Sequence, residues 1–366
     1  MHRWSWAVGR ASAGALLTGL LFAVAARAGE PAYSMADFGR VRKFDAHVHA
    51  NVEDSALLAE ARVDGFVLLS INVDYPDFPP VPEQARIAKA LAAVDRARFH
   101  FATTFLVKGW IEPGWADAVN AGLTKAVADG ALAVKIWKNV GMVEQDAAGR
   151  YLSIEDPAFD PVIAHVRDLG VPLIAHQGEP YNCWLPLAKM STENDRSYFA
   201  EHPQYHMYLH PELPGYESLM AARDRFVDRH ADLPFVGAHL ASLEWNVDRL
   251  AAFLDAHPNA VVDMAARMTQ LQSQSVRDRA RVRRFLLRYQ DRVLYGTDLT
   301  EDPGAVAADT RREAHAFWSS DWQYLATQET QWVPAIRARV AGLALPRAVV
   351  RKIYYENAER VFLRRR

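Results

Sequence analysis

A regular alternation of short apolar segments with longer amphipathic segments constrains the fold of this chain more than any other sequence feature. The apolar segments are rich in β-branched and aromatic residues and predict eight strands, at residues 41–48, 65–71, 98–105, 131–137, 171–176, 234–239, 259–264 and 292–295. The segments between and after them have helical periodicity and predict outer helices, at residues 54–62, 82–96, 113–129, 160–169, 216–230, 243–257, 276–289 and 346–363.

Eight strand–helix units in succession imply parallel strands with helices outside them. The sequence therefore predicts an α/β protein with a single closed (β/α)8 barrel of the TIM type. A doubly wound open sheet is the alternative, which the lack of a G-x-G-x-x-G motif after the first strand disfavours. Two longer insertions follow strands, from the fifth strand to about residue 215 and at residues 299–333. We expect both on the C-terminal face of the barrel, as lids or pocket walls.

The first 28 residues differ from the rest of the chain. Basic residues precede an apolar run at 13–26, and Ala26-Arg27-Ala28 has the small-x-small pattern of a cleavage site. This pattern predicts a secretory signal peptide at residues 1–28 and a periplasmic or secreted protein consisting of residues 29–366. A membrane anchor is the alternative, but the apolar run is short for a membrane span.

Composition narrows the classes of partner. The chain has 366 residues, 50% of them hydrophobic, and a formal net charge of -2, so nothing in its charge favours nucleic acid or an anionic membrane surface. Cys183 is the one cysteine, which excludes an intramolecular disulfide, and we expect it to be an ordinary thiol. The expected partner is a small-molecule substrate, and a homo-oligomer is compatible with the sequence.

Residues of the metal-ligand type occur at the ends of four predicted strands. His47 and His49 are two residues apart, so they project from one face of the first strand. His176, His239 and Asp298 end or follow the fifth, sixth and eighth strands. In a parallel barrel these ends meet at one rim, where catalytic sites lie. The pattern predicts a divalent-metal site; zinc suits these ligands best, and manganese, iron or cobalt are alternatives.

The chain resembles the amidohydrolase superfamily, in particular the amidohydrolase-related branch called amidohydrolase family 2. The motifs FDAHVH, VKIW, LIAHQGEP, VGAHLA and RVLYGTD carry the resemblance in family order, and it extends to the C-terminal YENAER segment. The resemblance implies four metal ligands: His47, His49, His176 and Asp298. It makes His239 either a ligand of a second ion or, in one-metal members, a base or electrophile beside the reacting centre.

The chemistry of such a site agrees with a hydrolase. Zinc bound by imidazoles and one carboxylate keeps a coordination position open for water and lowers the pKa of that water toward about 7. Asp298 would accept the proton of the attacking water and return it to the leaving group, while His239 would polarise a carbonyl. The alternative for Asp298 is an N-cap of the helix-like segment that follows it. We predict hydrolysis of an amide, ester or lactone. The alternatives are a non-oxidative decarboxylase or hydratase of small carboxylated rings, as in some relatives, and a barrel that binds metal without turnover.

Lys135, in the predicted fourth strand, decides between one metal ion and two. A lysine that points into a barrel is costly to bury unless it is paired or chemically modified. In two-metal amidohydrolases the lysine of this strand is carbamylated and bridges the ions, and the resemblance places Lys135 at that position. The alternative is a cationic lysine that binds a substrate carboxylate or pairs with an acid at the rim.

Further residues near the strand ends are candidates for the pocket. Arg267 follows the seventh strand and can clamp a substrate carboxylate, or it can form a structural salt bridge. Asp45 is expected to share the face of His47 and His49 and to orient an imidazole. Four residues are expected to line the pocket or to pack at the barrel top: Trp137, Glu179, Tyr181 and Trp184. Three histidines of the insertion after the fifth strand are expected in a polar lid: His202, His206 and His210. Three others, in or next to the outer helices, are expected at the surface: His165, His230 and His257.

Overall fold

A computed structural model describes residues 31–364 of the chain. The predicted signal peptide and its cleavage site lie outside these residues. Within the described part, no helix combines the length and the hydropathy that crossing a membrane would require.

Within residues 31–364, nine parallel strands form one sheet, in the order β8-β7-β6-β5-β4-β3-β2-β1-β9. Their bounds confirm all eight predicted strands to within a few residues: β1 Lys43–Ala50, β2 Phe66–Ile71, β3 Phe99–Thr104, β4 Val134–Ile136, β5 Leu173–Ala175, β6 Phe235–Gly237, β7 Ala260–Asp263, β8 Val293–Leu294 and β9 Leu299–Glu301. A separate antiparallel pair consists of β10 Thr330–Val333 and β11 Ala338–Ala341.

The barrel closes through the segment 293–301, which is an eighth strand interrupted in the middle. Its first part, β8, pairs with β7, and its second part, β9, pairs with β1. Between the two parts, Ala46 N donates to the carbonyl oxygen of Tyr295 at 3.0 Å and Asp298 N donates to that of His47 at 2.8 Å. This segment therefore contacts both ends of the sheet, and the predicted (β/α)8 barrel is confirmed.

Helices follow the strands along the chain. Their bounds are α1 Ala56–Asp64, α2 Val81–Val94, α3 Trp115–Ala128, α4 Asn139–Met142, α5 Asp160–Asp168, α6 Glu193–Glu201, α7 Tyr216–Arg229, α8 Ala238–Ala241, α9 Val247–Ala256, α10 Met268–Arg288, α11 Ala307–Ala326 and α12 Arg347–Arg351. Two of them, α4 and α8, are short turns that contain non-helical residues. The strands of the barrel are buried on both faces, as expected of parallel strands covered by helices.

The C-terminal segment closes the barrel at the amino ends of the strands. Two π-helical stretches, Lys352–Glu356 and Glu359–Leu363, follow α12. Asn357 Nδ2 donates to the carbonyl oxygen of Val293 at 2.8 Å, and Phe362 packs in the apolar cluster inside the barrel. The asparagine of the YENAER segment therefore anchors the chain end to β8.

The insertion at 299–333 belongs mostly to the barrel and not to a lid, while its residue Thr300 lines the cavity at the strand ends, as the alternative prediction of a pocket wall has it. After β9 the chain forms α11, a 20-residue helix that packs against α1. Trp318 of α11 is fully buried and stacks on Phe66 with ring centroids 4.3 Å apart. This helix is the outer helix that follows the eighth strand.

The histidines outside the strand ends take structural positions. The insertion after β5 contains short 3-10 turns and α6, and in it His206 is buried with Nε2 2.8 Å from the carbonyl oxygen of Leu185. Among residues 31–364, no group of potential metal ligands includes His202, His206 or His210. His230 and His257 are buried, so the prediction that they lie at the surface is wrong; each follows the C-terminal end of a helix and packs on a phenylalanine of that helix.

Candidate metal centre

One cavity at the carboxyl ends of the strands brings the predicted ligands together. It has a volume of about 220 Å³, and the six residues singled out at strand ends all line it: His47, His49, Lys135, His176, His239 and Asp298. The other wall is aromatic, with Tyr75, Phe78 and Trp137, and Lys138 and Thr300 complete the lining with Val73. Residues 250 positions apart in the chain therefore face one small volume.

Asp298 lies at the point where the histidines of β1 converge. Its Oδ1 atom is 3.3 Å from His47 Nε2 and 3.2 Å from His49 Nε2. The backbone of Asp298 has a φ of 71°, a left-handed conformation that aspartate tolerates better than most residues. Burial opposes ionisation of this carboxyl, but the neighbouring His239, His49 and His47 outweigh it and lower the pKa of Asp298 well below its usual value.

Three imidazoles are fixed in the tautomer that a metal ligand needs. In each, Nδ1 lies against an oxygen that can only accept a hydrogen bond: His47 against Asp263 Oδ2 at 2.9 Å, His49 against the carbonyl oxygen of Ile71 at 2.7 Å, and His239 against that of Ala265 at 2.9 Å. Each Nδ1 therefore carries the proton, which leaves the Nε2 lone pair for the cavity.

The two remaining ligand candidates have no partner of their own. His176 Nε2 and Lys135 Nζ are buried and have no hydrogen-bond partner among residues 31–364. Burial lowers the pKa of His176 well below its usual value and lowers the pKa of Lys135 to about 8. Buried polar atoms normally have partners, and an imidazole-rich set with one carboxylate is a typical set of zinc ligands. The residues present therefore fit a divalent ion, with three of them closest together: His47, His49 and Asp298.

The sequence reasoning missed Asp263, which organises this cavity from the end of β7. Its Oδ2 faces His47 Nδ1, while Oδ1 accepts from the backbone N–H groups of His239 at 2.8 Å and Ala265 at 3.1 Å. Burial opposes ionisation, but His47, His239 and Lys135 lower the pKa of Asp263 to about 2. The signal was available, because Asp263 ends the seventh predicted strand just as the histidines end others.

Asp45 does not orient an imidazole, so that prediction is wrong. The pairing register of β1 with β2 is irregular between Asp45 and Val48, and this breaks the alternation of side chains. Asp45 instead accepts from Thr297 N at 3.0 Å, Thr297 Oγ1 at 2.6 Å and Trp318 Nε1 at 2.9 Å. It ties β1 to the turn that carries Asp298.

His239 lies in a left-handed turn that follows β6. Residues 239–242 all have φ between 53° and 58°. Gly237 makes room for the turn, since a Cβ there would lie 2.6 Å from the Cβ of Ala241. The turn aims the ring of His239 at the cavity, 4.1 Å from the ring of His176 between centroids.

The predicted substrate-binding residues divide into two groups. Trp137 lines the cavity, while Glu179 lies behind it in an ion pair with Lys138. Tyr181 and Trp184 pack on other aromatic rings outside the lining. Arg267 is also buried outside the lining; its Nε has no partner, and no carboxylate of residues 31–364 forms a salt bridge with it.

The chain is similar to solved structures of low sequence identity. The crystal structure of 2,6-dihydroxybenzoate decarboxylase complexed with 2,6-dihydroxybenzoate has a TM-score of 0.50 at 14% sequence identity, and the match covers 88% of this chain and 99% of that chain. An apo structure from Agrobacterium tumefaciens has a TM-score of 0.46 at 12% sequence identity, and the match covers 92% of this chain and 99% of that chain. The phosphotriesterase homology protein from Escherichia coli, with phosphate bound, has a TM-score of 0.45 at 10% identity, and the match covers 88% of this chain and 99% of that chain.

A match to a family model shows which family the chain belongs to. No protein with a curated description matches the chain. The model of a protein family described as amidohydrolase matches residues 20–364, which include every residue of the cavity. Because this match spans nearly the whole chain, the protein belongs to the amidohydrolase family and is an enzyme.

Proposed function

We propose that this enzyme hydrolyses an amide, ester or lactone carbonyl of a small molecule with a divalent ion, most suitably Zn²⁺, at the cavity. Four residues would hold the ion: His47, His49, His176 and Asp298. The observation that carries this proposal is the convergence of His47 Nε2 and His49 Nε2 on Asp298 Oδ1, with both imidazoles fixed by acceptors at Nδ1. When bound, such an ion supplies a Lewis acid and a source of hydroxide near neutral pH.

The protein groups supply proton transfer and orientation. Asp298 is ionised, so it can accept a proton from water and return it to a leaving group. His239 presents the lone pair of Nε2 toward the cavity and can accept a proton there as a base. The volume of about 220 Å³ limits the reacting part of the substrate to a small group, and Tyr75 and Trp137 provide flat apolar walls.

Lys135 sets the number of ions in this proposal. If its amine is unmodified, the cavity would hold one ion. If the amine is carbamylated, its oxygens would provide ligands for a second ion, and the lack of a partner for Nζ among residues 31–364 leaves room for this modification. Crystals grown with bicarbonate and excess zinc test this directly. Electron density beyond Nζ between two ions is the result expected of a bridge, whereas a bare amine beside one ion contradicts bridging.

A decarboxylase is the second candidate. The cavity combines aromatic walls with the amine of Lys135, which together suit a carboxylated ring. The solved decarboxylase with a TM-score of 0.50 acts on such a ring, and that likeness shows the barrel fold. Reaction with aromatic acids that releases carbon dioxide without hydrolysing lactones, esters or amides would favour this function over the first.

We also propose that the enzyme acts outside the cytoplasm, after cleavage between Ala28 and Gly29. The basic start, the apolar run at 13–26 and the small residues before Gly29 support this proposal. Cell fractionation, with mass spectrometry of the mature N-terminus, tests it. A cytoplasmic protein that retains residues 1–28 contradicts it.

The Asp298→Asn variant tests the hydrolytic role. The amide cannot accept the proton of water, so kcat on the best substrate of a lactone, ester and amide panel should fall by roughly 10²–10⁴-fold. Asp117→Asn, an exposed position on α3, is the matched control and should retain full activity. Unchanged turnover in Asp298→Asn contradicts proton transfer by Asp298, and turnover that survives complete removal of divalent metal contradicts the metal site.

A further inference from the structure

A larger depression lies in the outer layer, between α2 and α3. Its volume is about 710 Å³, within the usual range of small-molecule sites, and it shares no lining residue with the metal-centre cavity. Most of its exposed surface is apolar. We call this depression the α2–α3 groove.

The sequence of the two helices keeps this groove open. Ala118, Gly122 and Ala126 recur every four residues along α3 and line one wall, and Ala85 of α2 lines the other. A Cβ on Gly122 would meet no atom within 4 Å, and Leu123 is the one buried residue of α3. Small side chains on the two walls thus leave a groove above a buried floor, which is formed by Phe101, Thr103 and Leu123.

Positive charge is concentrated at the end of the groove where α3 stops. Lys89 of α2 and Lys125 of α3 both donate to one oxygen of Asp129, at 2.8 Å and 2.7 Å. Two ammonium groups share one carboxylate, so this end has an excess positive charge with free N–H donors. Lys108 lines the groove as well, while the charge of Arg86 is compensated by Glu53 and Glu83.

We propose that the α2–α3 groove binds a free single-chain anionic amphiphile, a medium-chain fatty acid. The carboxylate binds at Lys89 and Lys125, and the hydrocarbon chain lies between Ala85 on one wall and Ala118 on the other. One narrow chain fits between these facing walls, whereas the flat surface of a bilayer cannot enter between them.

Calorimetric titration of the full-length protein with octanoate, decanoate and dodecanoate, each below its micelle concentration, tests the ligand class. We expect one site per chain, with affinity that rises roughly tenfold for every two methylene groups. Decanol should bind several-fold more weakly than decanoate because it has no anionic group. Equal affinity for decanol and decanoate, or an affinity independent of chain length, overturns the proposal.

Matched variants locate the site. Ala118→Leu fills the groove and should weaken decanoate binding at least tenfold, whereas Ala121→Leu, exposed on α3 outside the lining, should leave it unchanged. Ala85→Leu fills the groove from the opposite wall and should act like Ala118→Leu, so the test does not depend on one variant. Equal losses in Ala118→Leu and Ala121→Leu, or none in either filling variant, overturn the proposal.

A charge variant and two competing occupants complete the test. Lys125→Gln should weaken decanoate binding several-fold, and the exposed Lys189→Gln should not.

The competing occupants are a second copy of this chain and a membrane. Dimerisation without ligand that Ala118→Leu abolishes, or binding to anionic vesicles without binding to monomeric decanoate, overturns the proposal.

Discussion

Asp263 is the residue on which the geometry of the metal centre depends most. Its two oxygens accept hydrogen bonds from His47 Nδ1 and from the backbone N–H groups of His239 and Ala265. All three partners are donors, so only a group with two acceptor oxygens satisfies them together. One carboxylate at the end of β7 thereby fixes both a proposed ligand, His47, and the proposed base, His239.

Asp263→Asn should weaken zinc affinity by about 10–100-fold, because the amide has one acceptor oxygen and leaves a donor facing its NH₂ group. Competition with a chromophoric chelator measures this affinity. Asp117→Asn is again the control and should bind zinc like the wild type. Wild-type affinity in Asp263→Asn would show that Asp263 does not support the ligand set.

Individual site residues were predicted correctly from the sequence where their residue type seldom occurs at a strand end without a function. The histidines at strand ends and Asp298 were found from position alone, and all line one cavity. Asp45 was assigned to the wrong role because the register irregularity of β1 leaves no trace in the residue pattern. Arg267 has neither the salt bridge nor the cavity position that its place after a strand suggested.

At the scale of one element, the turn after β6 stores backbone strain beside the site. Four consecutive left-handed residues cost roughly 1–2 kcal/mol each for L-amino acids, so other contacts must hold them. Helix α7 provides these contacts. Tyr216 Oη donates to the carbonyl oxygen of Ser242, and the buried Arg223 donates to that of Ala241. The strain keeps His239 aimed at the cavity.

Gly237→Ala should destabilise the protein by about 1–3 kcal/mol, because the new Cβ would overlap Ala241 in this turn. Urea unfolding measures the change, and kcat should fall with it as His239 moves. Gly122→Ala is the matched control, and it should raise the free energy of unfolding where Gly237→Ala lowers it. The open space at Gly122 and its helical position predict a gain of about 0.5–1 kcal/mol. A stable Gly237→Ala protein would show that the turn can shift without cost.

Helix α11 is an element that was not predicted from the sequence. Residues 307–326 were read as part of an insertion, yet they form α11, whose Trp318 and Trp322 are fully buried. Apart from alanines and Leu325, the apolar residues of this helix are large aromatics, so its periodicity is weak although its buried contacts are extensive. Its partners, Phe66 and Asp45, lie more than 250 positions away, and only the closed barrel brings them into contact.

For the whole molecule, eight parallel strands and their order were predictable because most of them are short apolar runs. Strand β9 and the pair β10–β11 were not predicted, since these short segments contain polar residues. The convergence of residues 47 to 298 followed from topology alone, since all the carboxyl ends of a parallel barrel lie at one rim. The α2–α3 groove was not predictable. It depends on the distance between two helices, and alanines on an exposed helix have the same pattern whether or not a groove is present.

Three buried imidazoles link the stability of the whole molecule to pH. Burial lowers the pKa of His47, His176 and His239, so the unfolded chain takes up their protons below about pH 6.5 while the metal-free folded state does not. Each therefore removes stability as the pH falls below 6.5. Burial also raises the pKa of Asp45 and Asp321 to about 7, and these carboxyls act in the opposite sense because the folded state retains their protons.

Comparison with His176→Asn isolates one imidazole from these opposing effects. Between pH 7.5 and pH 5.5, with chelator present, the wild type should lose about 1.4 kcal/mol more unfolding free energy than His176→Asn, measured by urea unfolding. Zinc at 100 times its Kd should add about 2.7 kcal/mol to the wild type at pH 7.5, and much less to His176→Asn. His202→Asn, in the insertion after β5, should follow the wild type in both measurements. Parallel pH curves for wild type and His176→Asn would mean that His176 takes up its proton over the same pH range in the folded and unfolded states, so that burial does not lower its pKa.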